Sequence, residues 1–158
     1  MKFLKELHQA ICTTLKKEIP AIQTCETYPV MHRSIKAPAV FVELRSLEPG
    51  IDPGTEELAL KGRFEARIVI DSTIKDAFLI VRSLAIEVAK VVNRNCWGMN
   101  VSPAELLLAE SDEFKPELNA YLVWLVEWEH EMHVGKSVWL ESDIQPHTIH
   151  VGEISVGK

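Results

Sequence analysis

The sequence contains few cysteines, few aromatic residues and no long apolar run. Its three cysteines, Cys12, Cys25 and Cys96, are widely spaced and form no Cys-x-x-Cys pair. This spacing excludes a zinc knuckle or a dithiol redox motif, and it predicts three reduced thiols. The longest unbroken apolar run, residues 120–126, is far too short to span a membrane. The first residues lack an apolar signal-peptide region, so we expect no secretory leader.

Basic residues are also in the minority. Lysine and arginine number 17 against 23 aspartates and glutamates, a formal net charge of −6. Proteins that hold nucleic acid by its phosphates ordinarily present a basic surface. The charge therefore argues against stable nucleic-acid binding, while a passing contact with DNA stays compatible with it.

The residues that are present suit one folded domain. The chain has 158 residues, of which 47% are hydrophobic and 25% are charged. A chain of this size and composition can bury a core without disulfides or metal. We predict a domain over residues 1–134 and an extended C-terminal tail over residues 135–158. The tail is apolar enough that we expect it to pack on the domain or on a neighbour.

Two segments have helical periodicity. Leu4, Leu7, Ile11 and Leu15 form one stripe of a helix from Lys2 to Glu18, which Pro20 ends. A second helix extends to about Asn93, with N-cap candidates in residues 71–73. Its predicted core stripe is Ile74, Ala77, Val81, Leu84, Val88 and Val91.

Five segments alternate as strands do. They lie near residues 22–28, 39–47, 57–71, 104–110 and 120–132. The third is unusually long, so we predict that part of it leaves the sheet as a hairpin arm, with a bulge at Gly62. The fold class is α/β (α+β), with the order α-β-β-β-α-β-β. We expect a mainly antiparallel or mixed sheet of five strands with both helices on one face.

The sequence contains no complete motif for metal or cofactor binding. His130 and His133 are three residues apart on a predicted strand, whereas the zinc-protease motif needs two histidines four apart on a helix. His147 and His150 lie in an irregular segment and are expected at the surface. Gly135-Lys136-Ser137 resembles the end of a phosphate loop but lacks its first glycine. We therefore predict no cofactor and no metal.

Glu127, Glu129 and Glu131 form a row of carboxylates on the fifth strand. The simplest interpretation is a solvated or salt-bridged strand face, with Lys61, Arg63 and Arg67 opposite if the third and fifth strands are neighbours. A hydrolase would need two carboxylates at a fixed separation in a cleft. A third possibility is that the row lines a pore shared by several subunits.

Leu79 and Ile86 are anomalous on the second helix. At about 100° per residue they point away from the core stripe, and they stack one above the other among polar residues. Exposed aliphatic pairs of this kind occur by chance or mark a contact with another subunit. We predict a subunit interface at this pair, joined by Trp139, Leu140 and Ile144 of the tail.

The arrangement of elements resembles the tail terminator (tail completion, or neck) proteins of tailed bacteriophages, especially the Mu-like contractile-tailed group. The resemblance is carried by short patches in this order of elements: residues 37–44, Trp97-Gly98, Tyr121–Trp124, Val126–Trp128 up to Gly135, and residues 146–152. The family has no catalytic residues to transfer to this chain.

The resemblance implies a virion structural protein rather than an enzyme. It implies a hexameric ring that caps the tail tube, ends tube polymerisation and joins the tail to the head connector. Tube, sheath and connector proteins would be its partners, DNA would pass through the bore, and assembly would take place in the host cytoplasm. Other interpretations are another neck, tail or connector component, a small cytosolic ligand-binding adaptor, and a hydrolase that uses the glutamate row.

Overall fold

A computed structural model describes residues 2–27, 35–112 and 120–138 of the chain. Its elements are α1 (Lys2–Glu18), β1 (Thr24–Thr27), β2 (Ala39–Pro49), β3 (Leu58–Asp71), α2 (Ala77–Val92), β4 (Glu105–Ser111) and β5 (Tyr121–Val134). This order confirms the predicted α-β-β-β-α-β-β arrangement. The predicted contacts of Trp139, Leu140 and Ile144 lie outside the described residues.

The five strands form one mixed sheet in the order β1-β2-β3-β5-β4. β1 is parallel to β2, and the other three neighbouring pairs are antiparallel. Both helices lie on one face of this sheet, as predicted, because each must bury an apolar stripe. In α1 the buried residues are Leu7, Ile11 and Leu15.

The core lies between the helices and the sheet face that they cover. Phe64 of β3 stacks on Trp128 of β5 with their ring centroids 5.8 Å apart. The α2 residues Val81, Leu84 and Val88 pack into the same cluster. Burial of this apolar surface is the main favourable contribution to folding.

The long strand β3 differs from its prediction in two ways. All of Leu58–Asp71 pairs with β5, so no part of it leaves the sheet as a hairpin arm. The bulge lies in β2 between Leu44 and Ser46, whereas Gly62 keeps its register with β5. Gly62 is needed for another reason, because a Cβ there would lie 2.2 Å from Cε of Met132. The interruption in the apolar row therefore makes room for a neighbouring side chain.

The start of α2 also differs from its prediction. Residues 71–73 do not cap the helix, because the Asp71 carboxylate accepts hydrogen bonds from the backbone N–H and hydroxyl of Thr73. The helix begins at Ala77 after Asp76, so Ile74 precedes it and is 42% exposed. At the other end Val92 is buried, and the predicted Val91 packs against the core while partly buried.

Candidate functional site

The outer side of α2 presents an exposed apolar row. Leu79 and Ile86 are each 66% exposed, and Phe78 beside them is 64% exposed. Leu79 and Ile86 were predicted from the sequence, whereas Phe78 was missed, although at about 100° per residue it lies beside Leu79 on the helix. We call Phe78, Leu79 and Ile86 the α2 row. Large apolar side chains grouped on a surface are typical of a protein contact.

Arg82 and the edge strand β4 lie next to the α2 row. The guanidinium carbon of Arg82 lies 5.6 Å from the centroid of the Trp124 ring, a cation–π contact that fixes this arginine beside the row. The edge strand β4 also contacts α2. All seven of its residues are exposed, including three consecutive leucines at 106–108. The apolar surface and a sheet edge therefore lie on adjacent elements.

The opposite face of the sheet carries the predicted glutamate row. Glu127 and Glu129 are buried, and only Glu131 is exposed. β3 and β5 are neighbours, as the sequence analysis considered, and their register places Lys61 opposite Glu131 and Arg63 opposite Glu129. Lys61 forms its ion pair diagonally with Glu129. This part of the strand face is therefore salt-bridged.

A partly buried group of charged side chains surrounds Glu127 of that row. Glu65, 1% exposed, is opposite Glu127 in the register and accepts hydrogen bonds from Arg45 and Arg67. Arg67 also donates to Glu43 on β2 at 2.9 Å, and its Nε donates to Asp112 at the same distance. The charged residues that meet on this open face of the sheet are Glu43, Arg45, Glu65, Arg67, Asp112 and Glu127.

The two central carboxylates differ in their ionisation. Burial alone would raise the pKa of Glu65, but the hydrogen bond from Arg45 and the charges of Arg67 and Arg45 outweigh burial and lower it. Burial raises the pKa of Glu127, and its hydrogen bond with Glu65 and the charge of Glu65 raise it further. Glu65 is therefore the member that stays ionised, and Glu127 is the member that more readily holds a proton.

This carboxylate pair does not suit glycosidase chemistry. Glycosidases hold their two carboxyl groups about 5 Å apart or more, so that the substrate bond fits between them. Glu65 and Glu127 lie opposite each other on neighbouring strands, and Arg45 contacts both carboxylates. Because both carboxylates are buried and bound to the same arginine, they do not flank an open substrate cleft.

His130 and His133 do not share a site. His133 is exposed, whereas His130 is 1% exposed on the helix-covered face. Trp97 Nε1 donates a hydrogen bond to Nε2 of His130 at 2.8 Å. Because the indole can only donate, Nδ1 carries the imidazole proton and donates to the Ser102 carbonyl at 2.6 Å. Burial lowers the pKa of His130, so it is a neutral structural histidine.

A groove runs between α1 and the edge strand β1. Its volume is about 1000 Å³, and its walls include Leu4, Cys12 and Cys25. Lys5 and Lys16 line it as well, against the single acidic residue Glu26. Leu4 was predicted to belong to the core stripe, but it is 39% exposed at the mouth of this groove. We call this feature the α1–β1 groove.

Within the described residues, no group of three or more histidine, cysteine or acidic side chains is placed to hold a metal ion. No helix there is long and apolar enough to cross a membrane. His147 and His150 lie outside the described part of the chain.

Comparison with known proteins gives a structural likeness. No known family model matches the chain. No curated protein matches it either. A chain from the virion of a native gene transfer agent particle superposes with a TM-score of 0.59 and 10% identity, covering 84% of this chain and 98% of that one. A second solved protein, whose name states no function, has a TM-score of 0.50 and 11% identity, covering 85% and 96% of the two chains.

The likeness covers most of this chain and nearly the whole of the gene transfer agent chain. This chain therefore has the fold of a structural component of a phage-like particle. At such low identity the likeness establishes the fold alone, because one fold serves many functions.

Proposed function

We propose that this chain is a virion structural protein of the tail terminator type. Copies of it form a ring, about six in number, which caps the tail tube, ends its polymerisation and joins the tail to the head connector. The observation that carries the proposal is the fold likeness to a virion chain of a gene transfer agent particle. The order of elements and the short patches noted in the sequence narrow it to a terminator.

The surface supports the proposal because it offers several contacts on one subunit. A closed ring needs a heterologous interface, which joins two different surfaces of each copy. The α2 row supplies one apolar surface, at 64–66% exposure per side chain. Residues Trp139, Leu140 and Ile144 of the tail are the proposed second contribution, since they add bulky apolar side chains to the end of the chain.

The charge suits passage of DNA. Six copies at −6 each would carry a formal charge of about −36. An acidic bore repels phosphates, so DNA could slide through without binding. If the open sheet face lines that bore, the exposed Glu131 would face the DNA. Glu127 and Glu129 would lie buried beneath the surface, paired with Arg45 and Lys61.

The α2 row provides the test. We expect the purified chain to form rings in negative-stain images and a mass of about six subunits by light scattering. Replacing Leu79→Ser and Ile86→Ser together should shift the mass towards the monomer, because each removes a large exposed apolar contact. The matched control replaces the exposed Lys75 and Lys90, on the polar surroundings of the row, with serine and should leave the mass unchanged.

One alternative is favoured by a specific observation. The α1–β1 groove is large and mainly apolar, as in a small ligand-binding adaptor. Such an adaptor would remain a monomer or dimer and would not form rings. A monomer at every concentration, with no rings in the images, would contradict the terminator proposal and favour this alternative.

A further inference from the structure

The α1–β1 groove runs along β1, which lies at one edge of the described sheet. β1 is the first strand of the sheet, and no described residue forms a strand on its outer side. In a parallel pair, alternate backbone groups of an edge strand point away from the sheet and stay available for another strand. An extended segment could therefore bond to β1 while its side chains enter the groove, which is a common form of peptide recognition.

The groove also selects by charge. Lys5, His8 and Lys16 line it together with Glu26, so its walls carry more basic than acidic groups although the whole chain is acidic. A complementary occupant would be an acidic segment with alternating apolar side chains.

The C-terminal segment, residues 139–158, has this composition. It carries Glu141, Asp143 and Glu153 against the single basic Lys158. Within it, Thr148-Ile149-His150-Val151 is rich in β-branched residues, which favour strands. As a strand it would place Ile149 and Val151 on one side, and its four residues equal the length of β1.

The course of the chain favours a groove on another subunit. After β5 ends at Val134, opposite Leu58, Gly135 passes Glu57, and the Val138 backbone N–H donates to the Thr55 carbonyl at 3.1 Å. The chain thus continues past the start of β3 and beyond the sheet. β1 pairs with Ala39–Val42 of β2, towards the opposite end. The segment would have to reverse direction to reach its own groove.

We propose that residues 139–158 of each subunit bind in the α1–β1 groove of the next subunit and add a strand to its β1. This inference rests on the proposed ring. The ten residues from Val138 to Thr148 span up to about 33 Å when extended, roughly the width of a small domain. The exchange gives a head-to-tail contact, the type of interface that forms a ring when the rotation between subunits closes. It also covers the exposed edge of β1.

Disulfide cross-linking in the full-length chain tests this contact. The variant Ile149→Cys is made with Cys25→Ser and Cys96→Ser, so that Cys12 in the groove is the remaining native thiol. Mild oxidation should then give a ladder of covalent multimers on a non-reducing gel. Adding Cys12→Ser should abolish the ladder. A decoy pair, Ile149→Cys with Leu58→Cys in a background without native cysteines, should give none.

Reversing the charges of the groove and of the tail gives a second test of the contact, again measured by the yield of cross-linked multimers. Lys5→Glu with Lys16→Glu should reduce the yield of cross-linked multimers at least several-fold, and adding Glu153→Lys, two residues after the proposed strand, should restore part of it. The matched control, Lys2→Glu with Lys17→Glu, changes two lysines of the same helix that do not line the groove and should have little effect.

The outcomes separate this inference from the proposed function. The strand exchange is supported by a multimer ladder that weakens when the groove lysines become glutamates and returns when the tail charge is reversed as well. A cross-link confined within one chain, or a ring by light scattering that yields no cross-link, would overturn it while leaving the ring intact. A monomer without any cross-link would contradict both the ring and the strand exchange.

Discussion

Around Phe64 and Glu65, the two faces of the central strands are buried by different chemistry. On the helix-covered face, β3 and β5 contribute Phe64 and Trp128, which are fully buried and stacked. On the open face the same strands contribute Glu65 and Arg67, at 1% and 4% exposure. Apolar contacts are non-directional and tolerate small rearrangements, whereas a buried charge is stable only while its partners remain. The comparison indicates that removing a single partner is most serious on the open face, and removing volume on the covered face.

The largest expected effect comes from removing volume on the covered face. Trp128→Ala should lower the free energy of unfolding by about 3–5 kcal/mol, because the indole is fully buried in the core. Urea denaturation followed by circular dichroism measures this change. Trp128→Phe is the matched control, since it keeps an aromatic ring and removes an indole N–H that has no hydrogen-bond partner in the described structure. An equal loss in both variants would contradict this account.

The open face should respond differently to single and paired changes. Arg67→Met should cost about 3 kcal/mol, because it leaves the buried Glu65 with the half-exposed Arg45 as its remaining cation. Arg67→Met combined with Glu65→Leu should cost clearly less than the sum of the two single variants. A double-mutant cycle by urea denaturation measures that coupling. Strictly additive effects would show that the two charges do not depend on each other.

The covered face also contains one titratable group whose effect depends on pH. Burial lowers the pKa of His130, so as the pH falls this histidine is protonated at a higher pH in the unfolded chain than in the folded one. Its contribution to stability is complete above the ordinary histidine value of about 6.5 and is lost as the pH falls from there through the lowered pKa, by up to about 1.4 kcal/mol per pH unit.

The measurement is the free energy of unfolding between pH 7.5 and pH 5.5, compared with that of His130→Gln. The glutamine can still accept from Trp97 and donate to Ser102, so this variant should fold and show a weaker pH dependence. His8 contributes in the same direction, because burial lowers its pKa too, and the comparison cancels that effect. The exposed His133→Gln variant is the control. A pH dependence unchanged in His130→Gln would refute the assignment.

The smallest effect on folding is expected at the α2 row. Leu79→Ser with Ile86→Ser should change the free energy of unfolding of the monomer by no more than about 0.5 kcal/mol, since both side chains are two-thirds exposed. Thermal or urea unfolding at low protein concentration checks this. A large loss would mean that the row supports the fold itself, and a change in oligomer mass would then say nothing about an interface.

Much of the fold was accessible from the sequence because its signals are local. Periodicity located both helices and all five strands, and Leu7, Ile11 and Leu15 were correctly placed in the core. The errors arose where distant residues decide the local structure. The gap at Gly62 looked like a bulge because Met132, which fills it, is 70 residues away in the sequence. The full length of β3 is paired because β5 is equally long, at 14 residues each.

The candidate surfaces were only partly accessible. The outward position of Leu79 and Ile86 followed from helical spacing alone. The α1–β1 groove could not be predicted, since it depends on which strand lies at the sheet edge. Glu65 lies in the segment predicted as the third strand, but its burial beside Glu127 depends on the order β3-β5 in the sheet.

By itself, the sequence determined the identity and order of the elements, their apolar faces and the acidic balance of the chain. These properties follow from residue spacing within single segments and from composition. The tertiary structure alone decided which carboxylates lie opposite each other, which histidine is buried against Trp97, and which of the described strands lie at the edges of the sheet. Those outcomes depend on strand order and register, which bring together residues that are dozens of positions apart and which no local pattern encodes.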